Sequence, residues 1–145
     1  MKQLLTLLTA LAMTSAVFAQ DNISKDYLNA MFEECPQFEA RYIRTMTDMG
    51  NGLHRAEVVD LSGAHKMAGA YLNTGEDMLE HGKFTFYYGN GQVESQGYYE
   101  QGIKVGTWKR FTLLGEPRTD RYYNPESVGL LRSAMDGDAQ MMRSR

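Results

Sequence analysis

Cysteine is almost missing from this chain. Cys35 stands alone among 145 residues, which excludes an intrachain disulfide framework and any CxxC-based zinc or redox site. Proline is scarce too, three residues against fourteen glycines, so the chain must turn mainly on glycine. There is no surplus of positive charge. Fifteen Lys+Arg against eighteen Asp+Glu give a formal charge of −3, which leaves nothing to neutralise a phosphate backbone, and nucleic acid is not an expected partner. No apolar run reaches the roughly 20 residues that a membrane-spanning helix requires.

What is present is ordinary for a folded domain, 43% hydrophobic and 23% charged residues, and this length predicts one domain. Sixteen rings (nine Tyr, six Phe, one Trp) accompany the glycines, a combination that favours strands joined by tight turns. The first nineteen residues read as an export signal. Lys2 precedes an apolar run through residues 4–13, and Val17 and Ala19 supply small residues at −3 and −1 of a cleavage site after Ala19. Cleavage removes 19 of 145 residues and leaves 126; losing Lys2 leaves fourteen basic against eighteen acidic residues, a charge of −4. The mature protein is then expected to be periplasmic or secreted and not membrane-spanning. In such an oxidising compartment, lone Cys35 reads either as a buried small hydrophobe or as an intermolecular pairing site.

A period of 24 residues organises the second half. Gly82, Phe84, Tyr87 and Gly91 recur as Gly106, Trp108, Phe111 and Gly115, and Tyr98-Tyr99 recurs as Tyr122-Tyr123 without a gap. A looser copy precedes them, in which residues 58–63 match the first strand and its glycine turn and residues 66–71 match the second. Each unit reads as a β-hairpin. An aromatic run such as residues 84–88 is followed by Gly89-Asn90-Gly91, where glycine accepts positive φ without steric cost, and residues 92–99 return antiparallel. A helix is excluded by the glycine frequency, at about 1 kcal/mol each in a helix interior.

Such hairpins bury no core alone and must lean on their neighbours. The expected fold is therefore mainly β, an elongated antiparallel sheet of stacked β-hairpin repeats with a short C-terminal helix. Residues 40–46, a turn at Gly50-Asn51-Gly52 and residues 53–61 extend the series upstream. Asn124 as N-cap and Pro125 in the first turn open a helix to about residue 135, with Val128, Leu131 and Met135 on its apolar stripe. The organisation is thus a signal at 1–19, a lead-in at 20–38, a repeat domain at 39–124 (units of about 40–81, 82–105 and 106–124), and a helix and frayed tail at 125–145.

The pattern Gly-x-Phe/Trp-x-x-Tyr/Phe, three residues, Gly, six residues, Tyr-Tyr resembles the variant MORN repeat. It is similar to exported bacterial proteins commonly labelled YwqK-family antitoxins, components of toxin–antitoxin systems. The match is strongest over residues 82–123 and continues more weakly over 40–71. The resemblance implies stacked hairpins that bind proteins or lipids, and it transfers no catalytic residue because the motif contains none. Export would confine an antitoxin-like role to immunity in the periplasm.

The residues themselves point the same way. His54, His65 and His81 have no Gly-x-Ser-x-Gly elbow or HExxH spacing around them, and Asp136-Gly137-Asp138 lacks the rest of a calcium loop. No enzyme, cofactor or metal is expected. In a regular strand, positions three apart face opposite sides, so Phe84 and Tyr87, or Trp108 and Phe111, cannot share a face without a bulge. Rings on both faces of a single layer yield two assignments. Gly82, Phe84, Gly91, Tyr98, Gly106, Trp108, Gly115 and Tyr122 are expected to build the repeat. For Tyr87, Tyr99, Phe111 and Tyr123 two explanations compete: residues 20–38 and the C-terminal helix cover one face while tyrosine ladders stiffen the other through cross-strand pairs, or these four form an aromatic surface for a partner protein, with a glycan or lipid as the alternative ligand.

Overall fold

The computed structural model describes residues 23–126 together with 129, 130 and 133. The expected export signal lies outside the described residues, as do the tail from 134 onward and much of the expected C-terminal helix. Of that helix Gly129, Leu130 and Ser133 are helical, and Asn124 Oδ1 accepts the backbone N–H of Glu126 at 3.0 Å.

Among the described residues nine strands form one open antiparallel sheet: β1 (Ile23–Leu28), β2 (Tyr42–Gly50), β3 (Leu53–Asp60), β4 (His65–Asn73), β5 (Met78–Glu80), β6 (Gly82–Tyr87), β7 (Val93–Glu100), β8 (Ile103–Phe111) and β9 (Pro117–Tyr123). The order is β1-β2-β3-β4-β6-β7-β8-β9, so each strand lies beside its predecessor except β6, which lies beside β4, and β1 and β9 are the edges. β5 pairs with the end of β4 through Tyr71–Asn73, and β6 pairs with its beginning through Met67 and Ala68. At the break between β5 and β6, the His81 N–H donates to Ala70 O at 2.8 Å, and Gly82 has φ of 87°. Residues 20–38 carried no assignment in the sequence. From residue 23 the structure supplies strand β1, then a loop knotted by Asn29, whose Oδ1 accepts the N–H groups of Met31 and Glu33 at 2.8 and 3.1 Å.

Three turns share one hydrogen-bond arrangement. The N–H of Asp60, Tyr88 and Thr112 donates to the carbonyl four residues on, of Ala64, Gln92 and Glu116, at 2.8–2.9 Å. The N–H of Gly63, Gly91 and Gly115 donates back to the same opening residues at 2.9–3.0 Å. These three glycines have φ between 82° and 90°, a region in which a side chain is strained. Neighbouring turns are tied to each other: Tyr88 OH donates to Phe111 O and Asn90 Nδ2 to Leu113 O, both at 2.9 Å.

The core is a line of side chains across one face. Through the strand registers, Met46 lies beside Ala56, Ala56 beside Gly69, Phe84 beside Gly97, and Trp108 beside Arg121. A glycine stands next to each of the two large rings in this line, so each ring has a socket. A Cβ on Gly69 would stand 2.5 Å from the Phe84 ring, and one on Gly97 would stand 2.4 Å from the Trp108 ring. Phe84 and Trp108 are accordingly 1% and 2% exposed, and each buried ring removes on the order of 150–250 Å² from water. Leu28, Val58 and Met67 complete the buried cluster.

Candidate functional site: an aromatic face ending in a basic groove

The tyrosines extend the buried line into a ladder. Tyr71 meets Phe84 edge-on at 5.6 Å, Tyr99 meets Phe84 at 4.8 Å and Trp108 at 5.2 Å, and Tyr123 meets Trp108 at 6.3 Å. These T-shaped contacts bring the positive ring edge to the negative face. Phe86 lies 6.2 Å from both Phe84 and Trp108 on the same side. Among the described residues no second layer covers this face in full. The loop after β1 covers one corner, where Phe32 stacks on Tyr42 at 4.5 Å and 8°. Phe32 does so with φ of 64°, costly for a bulky side chain. The same corner is clamped by Arg44, which donates to Asp26 at 3.0 and 3.2 Å and pairs with Glu34.

The uncovered part of the face holds two grooves that meet at Glu94. The larger, about 480 Å³, is lined by Phe32, Tyr42, Tyr71, Phe84, Phe86 and Tyr99, with Lys66 and Glu80 at its rim. Burial pushes the Tyr99 phenol up to about 12, aided by the Glu80 carboxylate and by Tyr71 and Tyr123. Burial also raises Tyr71, with Glu80 adding and Arg44 opposing. Both phenols therefore stay neutral near pH 7.

The smaller groove, about 190 Å³, lies at the β7–β9 end and has a different character. Lys104, Arg110, Arg118 and Arg121 line it together with Trp108, Tyr123, Tyr88, Ser95 and the single carboxylate of Glu94. Lys104 Nζ is held 4.2 Å from the Trp108 ring centre, and within 6 Å of Tyr99 and Tyr123, so its charge is fixed over the ladder by cation–π attraction. Arg118 and Arg121 are three apart and in a regular strand would face opposite sides. The register between β8 and β9 shifts between Trp108 and Arg110, and that bulge turns both arginines into the groove.

The four residues expected to form a partner surface divide. Tyr99 and Tyr123 flank Trp108 on the aromatic face, half-buried. Tyr87 pairs with Val93 beyond a bulge, lies 6.1 Å from His65, and borders grooves on both sides of the sheet. Phe111 is opposite Pro117 at the β8–β9 turn. Of the residues expected to build the repeat, Phe84 and Trp108 are buried, whereas Tyr98 and Tyr122 are 56% and 70% exposed. Gly82 and Gly106 have φ of 87° and 66° at corresponding strand positions.

Sequence reasoning missed the glycine sockets and the arginines of β9. The second was within reach: folding the chain on the turn at 112–116 sets Arg110 opposite Arg118, as observed. Lys109, next to Arg110 in the sequence, pairs with Gln96 on the other face. Among the described residues no three His, Cys, Asp or Glu side chains lie together as a metal site would need, and no helix is long and apolar enough to cross a membrane. His81 Nδ1 is buried without a hydrogen-bond partner, and half-buried Cys35 has its thiol raised by burial and by Glu39. No protein-family model, no curated protein and no solved structure matches this chain.

Proposed function

We propose that this protein is an exported, non-enzymatic β-hairpin repeat module, similar to variant MORN-repeat proteins, that binds a partner protein through the aromatic face of its sheet. The observation that carries the reading is the open groove of about 480 Å³ along the tyrosine ladder. Rings in register on one side of a single-layer sheet form a surface of the kind that protein interfaces favour, with apolar area, low side-chain entropy and hydroxyl donors at the rim. The repeat reading is supported by the three matching turns, by Phe84 and Trp108 in matching glycine sockets, and by the ties between neighbouring turns. The export reading rests on residues 1–19 of the sequence. An antitoxin-like immunity role in the periplasm is one form this binding would take.

The test compares variants in capture of partners from an envelope extract. Tyr99→Ala, on the aromatic face, is expected to abolish capture of a specific protein, whereas Tyr98→Ala, on the opposite face, leaves it intact. Capture that survives Tyr99→Ala would sink the proposal. Retention of the protein by protein-free peptidoglycan or by lipid vesicles, equally lost in Tyr99→Ala, would replace it with a glycan- or lipid-binding module.

A further inference from the structure

The basic groove is not explained by folding. Arg110 and Arg118 are direct cross-strand neighbours, and like charges so placed repel. Among the described residues neither they, Arg121 nor Lys104 forms an ion pair. Four cations thus face one carboxylate, Glu94, in a groove of about 190 Å³, on a chain whose formal charge is −3. Protection of a sheet edge against pairing would account for arginines on β9. It does not account for Arg110, which sits half-buried on the interior strand β8.

We infer that this groove binds an extended acidic peptide segment, its carboxylates received by Arg110, Arg118 and Arg121 beside the Trp108–Tyr123 end of the ladder. The inference rests on the partner-binding reading and names the chemistry of the partner's segment. Planar guanidinium forks match carboxylates two oxygens at a time. A small anion meets only part of the array, because Arg110 and Arg118 face each other across β8 and β9 while Arg121 stands beside Trp108, two residues along β8, about 7 Å at ~3.3 Å per residue. An extended chain presents a carboxylate to the same face every second residue and spans that length. Glu94 stands on the β7 side of the groove, away from edge strand β9, so a segment lying along β9 meets the three arginines and avoids it.

Trp108 is the only tryptophan and lines the groove, so its fluorescence reports occupancy directly. The full chain is titrated with a hexaglutamate peptide, and with inorganic phosphate and pyrophosphate in separate arms. A saturable change with the peptide is expected, weakening steeply with added salt. Arg118→Gln and Arg121→Gln are each expected to weaken it about tenfold, as for loss of a charge-assisted hydrogen bond. Glu94→Gln should tighten it severalfold, a direction that misfolding would not produce, while Arg55→Gln on the other face changes nothing. Affinity unaltered by Arg118→Gln, or pyrophosphate matching the peptide, would overturn the inference. The partner-capture experiment is independent of this one: loss of capture in Tyr99→Ala with no peptide binding here would leave the aromatic surface standing and remove only the acidic segment.

Discussion

Two glycines decide which rings are buried. Gly69 and Gly97 have ordinary strand conformations, so what they contribute is the missing Cβ: each leaves room for a ring from the next strand to lie flat against the backbone. An added methyl at Gly97 would stand 2.4 Å from Trp108 Cδ2, far inside van der Waals contact. The indole would have to lift, leave its bond to Tyr98 O at 3.2 Å and disturb Lys104 above it. Gly97→Ala is therefore expected to cost about 1–3 kcal/mol, the usual range for overpacking. Gly89→Ala is the control, since a Cβ there meets only Lys66 Nζ at 3.7 Å, and it should stay within about 0.5 kcal/mol of the parent. Urea denaturation of the two variants checks the pair, and equal stabilities would show that the sockets are not tight.

At the scale of an element, the three similar turns are held by different side chains. Thr112 Oγ1 accepts the Glu116 N–H at 3.2 Å and Asn90 Oδ1 the Gln92 N–H at 3.1 Å. Asp60 does more: its Oδ1 accepts from the Ser62 hydroxyl at 2.6 Å and from the N–H groups of Ser62 and Ala64 at 2.9 and 3.0 Å, and its Oδ2 pairs with Lys66 at 3.2 Å. These bonds, the Ser62 hydroxyl foremost, hold the carboxyl down from 3.8 to about 2. Because the folded value is the lower one, the unfolded chain takes up the proton first as pH falls. The contribution of Asp60 is therefore complete above about pH 4 and is lost as pH drops through about 2. Asp60→Asn should melt lower than the parent by a constant interval above pH 4, and the interval should shrink below it. An interval independent of pH would assign the turn's stability to its backbone alone.

Most strands and turns were legible in the sequence because aromatic runs and glycines recur in fixed order, and β2–β4 and β6–β9 fall near the expected positions. Strand β1 was not, since only Leu28 of its six residues is buried and an exposed edge strand carries little hydrophobic pattern. Nor was β5, three residues long. The face that holds the core was hidden for a different reason. Alternation places rings on both sides, and what selects Tyr99 over Tyr98 is the register that sets Phe84 beside Gly97, a tertiary fact. The basic groove depended on a bulge in β9, which adds a residue and turns Arg118 inward without leaving a mark in composition.

Taken whole, the molecule is a strip in which each strand touches little beyond its neighbours, so its stability approximates a sum of strand–strand interfaces. Phe84 is where that sum is most vulnerable. It lies on β6, between the socket on β4 and the partner strand β7, and its ring touches Tyr71 on one side and Tyr99 on the other. The backbone link from β4 to β6 is short, made through Met67 and Ala68, so side chains carry much of the coupling across it. Phe84→Ala is expected to cost about 3–5 kcal/mol and also to uncouple the two halves of the sheet. Trp108 fluorescence reports the β7–β9 half and far-ultraviolet circular dichroism the whole. In the parent the two urea transitions should coincide, and in Phe84→Ala they should separate, with a smaller slope in each because less surface is exposed per step. Met46→Ala, near the β1 edge, should lower the midpoint while the probes still coincide. Coincident transitions in Phe84→Ala would mean that the backbone ladder alone joins the halves.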